Sequence, residues 1–164
     1  MTLQERLVRS VTVLLDESFE GPRGRSSWYT DVHPKAGLLG TLEAVPAGVA
    51  STPPGPGRAT IAAHVEHLRF SVNLANRALR GENPYPTADW RQSWAVQQVD
   101  DAAWERLRAS LRDEYLALRE VLQSPNAWVE DDEALTGVLA VIAHSAYHLG
   151  ALRQMTRSLQ LGPT

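Results

Sequence analysis

Cysteine does not occur in this chain of 164 residues. That absence excludes disulfides, thiolate metal ligands and a cysteine nucleophile together. A basic excess is missing too: 16 Lys and Arg stand against 19 Asp and Glu, a net charge of -3. Binding to phosphate backbones needs a basic face, so nucleic acid is not the expected partner. No stretch reaches the roughly 20 apolar residues of a membrane span, and no membrane association is expected. The N-terminal Met1–Arg6 segment is amphipathic and does not read as a leader. A cytoplasmic location fits these features. No glycine-rich phosphate loop, serine-nucleophile motif, internal repeat or long alternating pattern occurs.

What the chain does have is helical periodicity in four long segments. Leu3, Leu7, Val11, Leu14 and Ser18 form the first stripe. Ile61, Val65, Leu68, Val72, Ala75 and Leu79 form the second. Trp104, Leu107, Leu111, Tyr115, Leu118 and Leu122 form the third, and Gly137, Ala140, Val141, His144, His148, Ala151, Leu152 and Met155 the fourth. Each stripe is one-sided, as a helix packing on neighbours in water requires.

Boundary residues agree with these segments. Thr60 can cap the second helix, after the breaker-rich run 52–57, and Gly81 follows its end. Asp100 or Asp101 can open the third helix, with Pro125 beyond its end. Glu130 to Glu133 crowd the start of the fourth, where the helix dipole favours negative charge, and Gly162 and Pro163 follow it. A short helix is expected over Lys35 to Val45. The connections 20–58 and 81–99 are long enough to carry function or to pack over the core. The expected fold is all-α, a four-helix bundle with a short extra helix and two long connections, in a single domain over residues 1–164.

His144 and His148 lie four residues apart within the fourth segment. On a helix this spacing brings both imidazoles to one face, with Cβ atoms roughly 5–6 Å apart. Two nitrogens so placed can converge on one metal ion. The competing reading is a pair of buried histidines, each hydrogen-bonded to a neighbour. His64 and His67 on the second helix supply candidate third ligands. The helical wheel puts His64 nearer the centre of the apolar stripe and His67 on its flank.

Two segments resemble the DinB/YfiT-like superfamily of metal-dependent helical proteins: 60–68, Thr-Ile-Ala-Ala-His-Val-Glu-His-Leu, and 144–154, His-Ser-Ala-Tyr-His-Leu-Gly-Ala-Leu-Arg-Gln. The resemblance implies the DinB-like bundle fold and metal ligation by His67, His144 and His148. It leaves His64 as a residue that could orient a ligand or contact substrate. Tyr147, about a quarter turn off the face of the histidine pair, is expected to pack against a neighbouring helix, with a place beside the metal site or an acid role as the alternative. Three imidazoles suit a divalent transition metal such as Zn, Ni or Fe and leave a coordination position open.

The resemblance further implies an enzyme, with a transferase that activates a low-molecular-weight thiol for attack on an electrophile as the leading expectation. A metal-hydroxide hydrolase is the alternative, and a non-enzymatic metal- or ligand-binding bundle is a third. The expected partner is a small-molecule substrate, and a homodimer is compatible with the family. No residue is assigned a catalytic role from the sequence, and no organic cofactor is expected.

Of the remaining residues, Trp28, Tyr29, Trp90 and Trp94 are expected to cap the ends of the core or to line a pocket entrance. Gly150 is expected to permit close helix approach, because Gly inside a helix costs roughly 1 kcal/mol relative to Ala.

Overall fold

The computed structural model describes residues 1–123 and 127–161. Pro125, Gly162 and Pro163, expected helix terminators, lie outside the described residues. Four long helices form the bundle: α1 (Leu3–Phe19), α4 (Ile61–Leu79), α5 (Asp101–Gln123) and α6 (Asp132–Leu161). Two short helices, α2 (Leu38–Glu43) and α3 (Ala47–Ala50), occupy the first long connection. Strands are absent among the described residues. α4 packs on α5 and α6, and α1 packs on the same two helices, so α1 and α4 lie across the bundle from each other.

The helix starts follow local chemistry. Thr2 and Glu5 form a reciprocal capping box at α1. The Thr60 hydroxyl accepts from the Ala63 N–H to cap α4. Asp100 accepts from Ala103 N–H at α5 and Asp131 from Ala134 N–H at α6.

The stripes of α4 and α5 point inward as their period requires, with Val65, Leu68, Val72, Leu111, Tyr115 and Leu118 all buried. At α1 Val11 and Ser18 of the stripe are buried, Leu7 and Leu14 are half-buried, and Leu3 is exposed. In α6 Val138, Ile142, Ser145, His148, Leu149 and Leu152 are buried; His148 and Leu152 belong to the expected stripe, whereas Ala140 of that stripe is exposed. His148 lies within the buried face and half-buried His144 at its edge, where α6 meets α4.

The segment expected as one short helix divides into α2 and α3 around Pro46. Gly37 precedes α2 where a Cβ would lie 2.5 Å from the Phe19 backbone, so only glycine lets the two segments meet. In the same connection, buried Glu17 of α1 accepts the N–H groups of Trp28, Tyr29 and Thr30 and the hydroxyls of Ser27 and Thr30. Burial alone would raise its pKa, but these donors outweigh burial and hold it at about 2.

Two expectations fail here. α6 is long and apolar enough, by length and composition alone, to cross a membrane, although no run of that kind was expected. Bundle helices pass the same test, and α6 packs along α1 and α4. Gly150 does not permit a close approach: it is exposed, and a Cβ there would meet nothing within 4 Å. Gly150→Ala is therefore expected to stabilise the protein. Thermal unfolding should show Tm raised by about 2–4 °C; a lowered Tm would reveal a contact at that face.

Candidate metal centre

The seam between α4 and α6 gathers four imidazoles. His64 and His67 lie one turn apart on α4, as do His144 and His148 on α6. Single ring nitrogens of His67, His144 and His148 all lie within 4.8 Å of one another. His67 and His148 are buried, while His64 and His144 are half-buried. The wheel argument that favoured His64 as the inward group does not hold: His67 is the more buried of the two, because the 81–99 connection closes over it.

Each of the three clustered imidazoles has a partner for its Nδ1 atom. His67 Nδ1 lies 2.8 Å from Ser93 Oγ. The Ser93 hydroxyl donates its proton to the Trp90 carbonyl at 2.7 Å, so towards His67 it can only accept. His67 is therefore protonated on Nδ1, and its Nε2 carries a free lone pair. His144 Nδ1 lies 3.2 Å from Ser71 Oγ. His148 Nδ1 lies 3.1 Å from His64 Nδ1. On the other side of the rings, His148 Nε2 and His144 Nε2 are 2.9 Å apart. That separation suits two metal–nitrogen bonds of about 2.0–2.1 Å meeting at roughly a right angle. A ligating histidine characteristically uses one nitrogen for the metal and donates the other N–H to an orienting acceptor, and this donor set meets that requirement.

The connection is fixed over the seam by the residue that also caps α4. The Thr60 hydroxyl donates to the Gln97 carbonyl at 3.0 Å, and Thr60 N–H donates to Gln97 Oε1 at 3.1 Å. The short turn Gln92–Trp94 thereby sits on the first half of α4. Trp94 stacks on the His67 ring with centroids 4.0 Å apart, and meets His64 edge-on at 5.1 Å. Trp90 lies 6.0 Å from His67 and packs edge-on against Phe70.

The aromatic residues of the connections thus divide. Trp94 and Trp90 flank the histidines rather than capping the core, whereas Trp28 is 76% exposed and does neither. Tyr147 is 70% exposed on the outer side of His148, where its ring meets the imidazole edge-on; it neither enters the cluster nor packs against a neighbouring helix. His33 is exposed in the first connection and accepts from Lys35 N–H, apart from the seam. On α5, Glu114 accepts from the side chains of Asn73 and Asn76 and ties α5 to α4.

Sequence reasoning missed Ser93 and Ser71. Ser71 was legible, since it lies one turn after His67 on the same α4 face. Ser93 carried no signal beyond its place between two tryptophans.

A four-helix bundle with three convergent imidazoles on facing helices fits a metal-binding protein. Residues 35–152 match the family model of the DinB superfamily, and the chain belongs to that superfamily. No curated protein and no solved structure matches the chain significantly.

Burial keeps all four imidazoles neutral at physiological pH. Desolvation, reinforced by the neighbouring His144 and His64, holds His67 at about 4. Desolvation, reinforced by the other three histidines, holds His148 at about 3. Desolvation also lowers His64 and His144. An unfolded chain takes up these protons near the ordinary value of 6.5, while the folded one does not until well below it. The unfolded state then binds more protons, and stability falls as the pH drops from 6.5 towards 4. Urea unfolding of metal-free protein should show a plateau above about pH 7 and a loss approaching 1.4 kcal/mol per pH unit for each histidine held neutral. A flat profile down to about pH 5 would show that these histidines take up protons as readily in the folded state as in the unfolded one.

Proposed function

We propose that the protein is a metal-dependent enzyme whose His67, His144 and His148 hold a divalent transition ion, and that it transfers a low-molecular-weight thiol to an electrophilic small molecule. The observation that carries this reading is the pairing of every Nδ1 in the cluster with Ser93, Ser71 or His64, which leaves three Nε2 atoms for one ion. A bound ion with an open position supplies a centre that lowers the pKa of a thiol or of water placed there.

The chain's own residues set the conditions for that chemistry. Ser93 fixes the His67 tautomer. Ser71 and His64 orient the two α6 imidazoles. Trp94 covers one face of His67 and keeps water from it. The His64 ring also borders the cluster on the Trp94 side, where it holds the His148 tautomer and can contact a bound substrate. The chain has no cysteine, so a sulfur nucleophile must arrive with a substrate, and superfamily membership supports thiol chemistry over hydrolysis.

Elemental analysis of reconstituted protein should find one ion per chain, and the ion should be lost in His148→Ala. Ser93→Ala should weaken metal binding about 10–100-fold while leaving the helical fold intact. Metal-loaded protein assayed with a panel of small thiols and electrophiles should form thioether conjugates only when metal and thiol are both present. Metal-dependent turnover that proceeds equally well without thiol would replace the transferase reading with the hydrolase one. Failure to bind metal at all would refute both.

A further inference from the structure

The seam between α4 and α6 does not end at the histidines. One turn past Ser71 on α4 and one turn before His144 on α6, at Ala75 and Val141, begins a cavity of about 730 Å³. That volume lies within the roughly 300–1,000 Å³ of small-molecule sites. Its walls are apolar: buried Leu118 and Leu122 of α5, Val138 and Ile142 of α6, and the Trp128 indole. Its polar charge is of one sign. Glu82, Asp131 and Glu133 line it, and among the described residues no Lys, Arg or His does. Arg77 pairs with Glu82 at 2.7 Å, which leaves Asp131 and Glu133 at the start of α6 as the dominant field. A second cavity, between α1, α2 and α5, differs in kind. It is lined by both signs of charge, and within it Lys35 pairs with Glu43 and Arg108 with Glu105.

We infer that the cavity between the ends of α4, α5 and α6 is a binding site distinct from the histidine cluster, and that it takes a small amphiphile with an apolar body and a cationic ammonium head. The apolar walls bury the hydrocarbon portion, and burial is what drives binding. The carboxylates at the mouth receive the head and select its sign, because a low-dielectric wall focuses their field. Gly137 offers a direct handle. It lines the cavity, and a Cβ built on it meets nothing within 4 Å. A larger side chain there starts in open space and improves helix propensity.

Calorimetry with three probes of equal chain length, decyltrimethylammonium, decyl maltoside and decyl sulfate, each below its micelle concentration, tests the site. The cation should bind at least about tenfold tighter than the anion at low salt, with the neutral probe between them and the spread narrowing as salt is raised. Gly137→Leu should abolish binding of all three probes with helix content unchanged. The double variant Asp131→Asn/Glu133→Gln, in which Asn still caps α6, should lose the preference for the cation while still binding the neutral probe. Equal affinity for cation and anion in the unaltered protein would overturn the assignment, as would undiminished binding by folded Gly137→Leu. Loading the histidine cluster with zinc should leave the affinities unchanged, which separates this site from the proposed metal chemistry.

Discussion

The structure depends on hiding four imidazoles at a helix seam without charging them. A buried imidazolium would have to be desolvated, and four close together would repel one another as well. The seam meets this constraint by keeping the rings neutral and finding a partner for each Nδ1. Ser93 serves His67, Ser71 serves His144, and His64 serves His148. Once those bonds are made, the remaining nitrogens have few directions left. The Nε2 atoms of His144 and His148 face each other at 2.9 Å, and the geometry of a metal centre follows from the rules for satisfying buried polar atoms.

The second long connection is tied to the same seam. A loop of that length would ordinarily be free to move. Here Thr60 caps α4 and binds Gln97 with its N–H and hydroxyl. The loop between Pro84 and Gln97 is thereby held against α4, and Ser93 and Trp94 come to rest on His67. One hydroxyl on α4 thus fixes a helix start and the second element of the site together.

Much of this was legible in the sequence, and what was not has definite causes. The α4 and α5 stripes could be read because apolar residues occupy only one face of each helix. Thr60 and Asp100 could be read because capping is local chemistry. The register of α6 could be read only in part, at His148 and Leu152, because most residues from Ala134 to Leu152 are apolar or small, and periodicity fades where both faces look alike. The choice between His64 and His67 had the same difficulty: a wheel knows only the helix, and His67 is buried by a loop from elsewhere in the chain. The family resemblance chose His67, and the structure places it with His144 and His148. Ser93 needed tertiary structure to be found at all, since its bond to His67 spans 26 positions.

The charge-free character of α6 then has a structural explanation. Between Glu133 and Arg153 the helix carries no Asp, Glu, Lys or Arg. Its first half walls an apolar cavity through Val138 and Ile142. Its second half brings His144 and His148 to the seam, where a neighbouring carboxylate would raise the imidazole pKa and draw protons onto nitrogens that must stay free. Both duties exclude charge from the inward and flanking positions, for different reasons. A helix selected this way resembles a membrane span in composition. Its seam with α4 nonetheless carries a pair of ring nitrogens held 2.9 Å apart, so the helix joins an apolar composition to a polar duty.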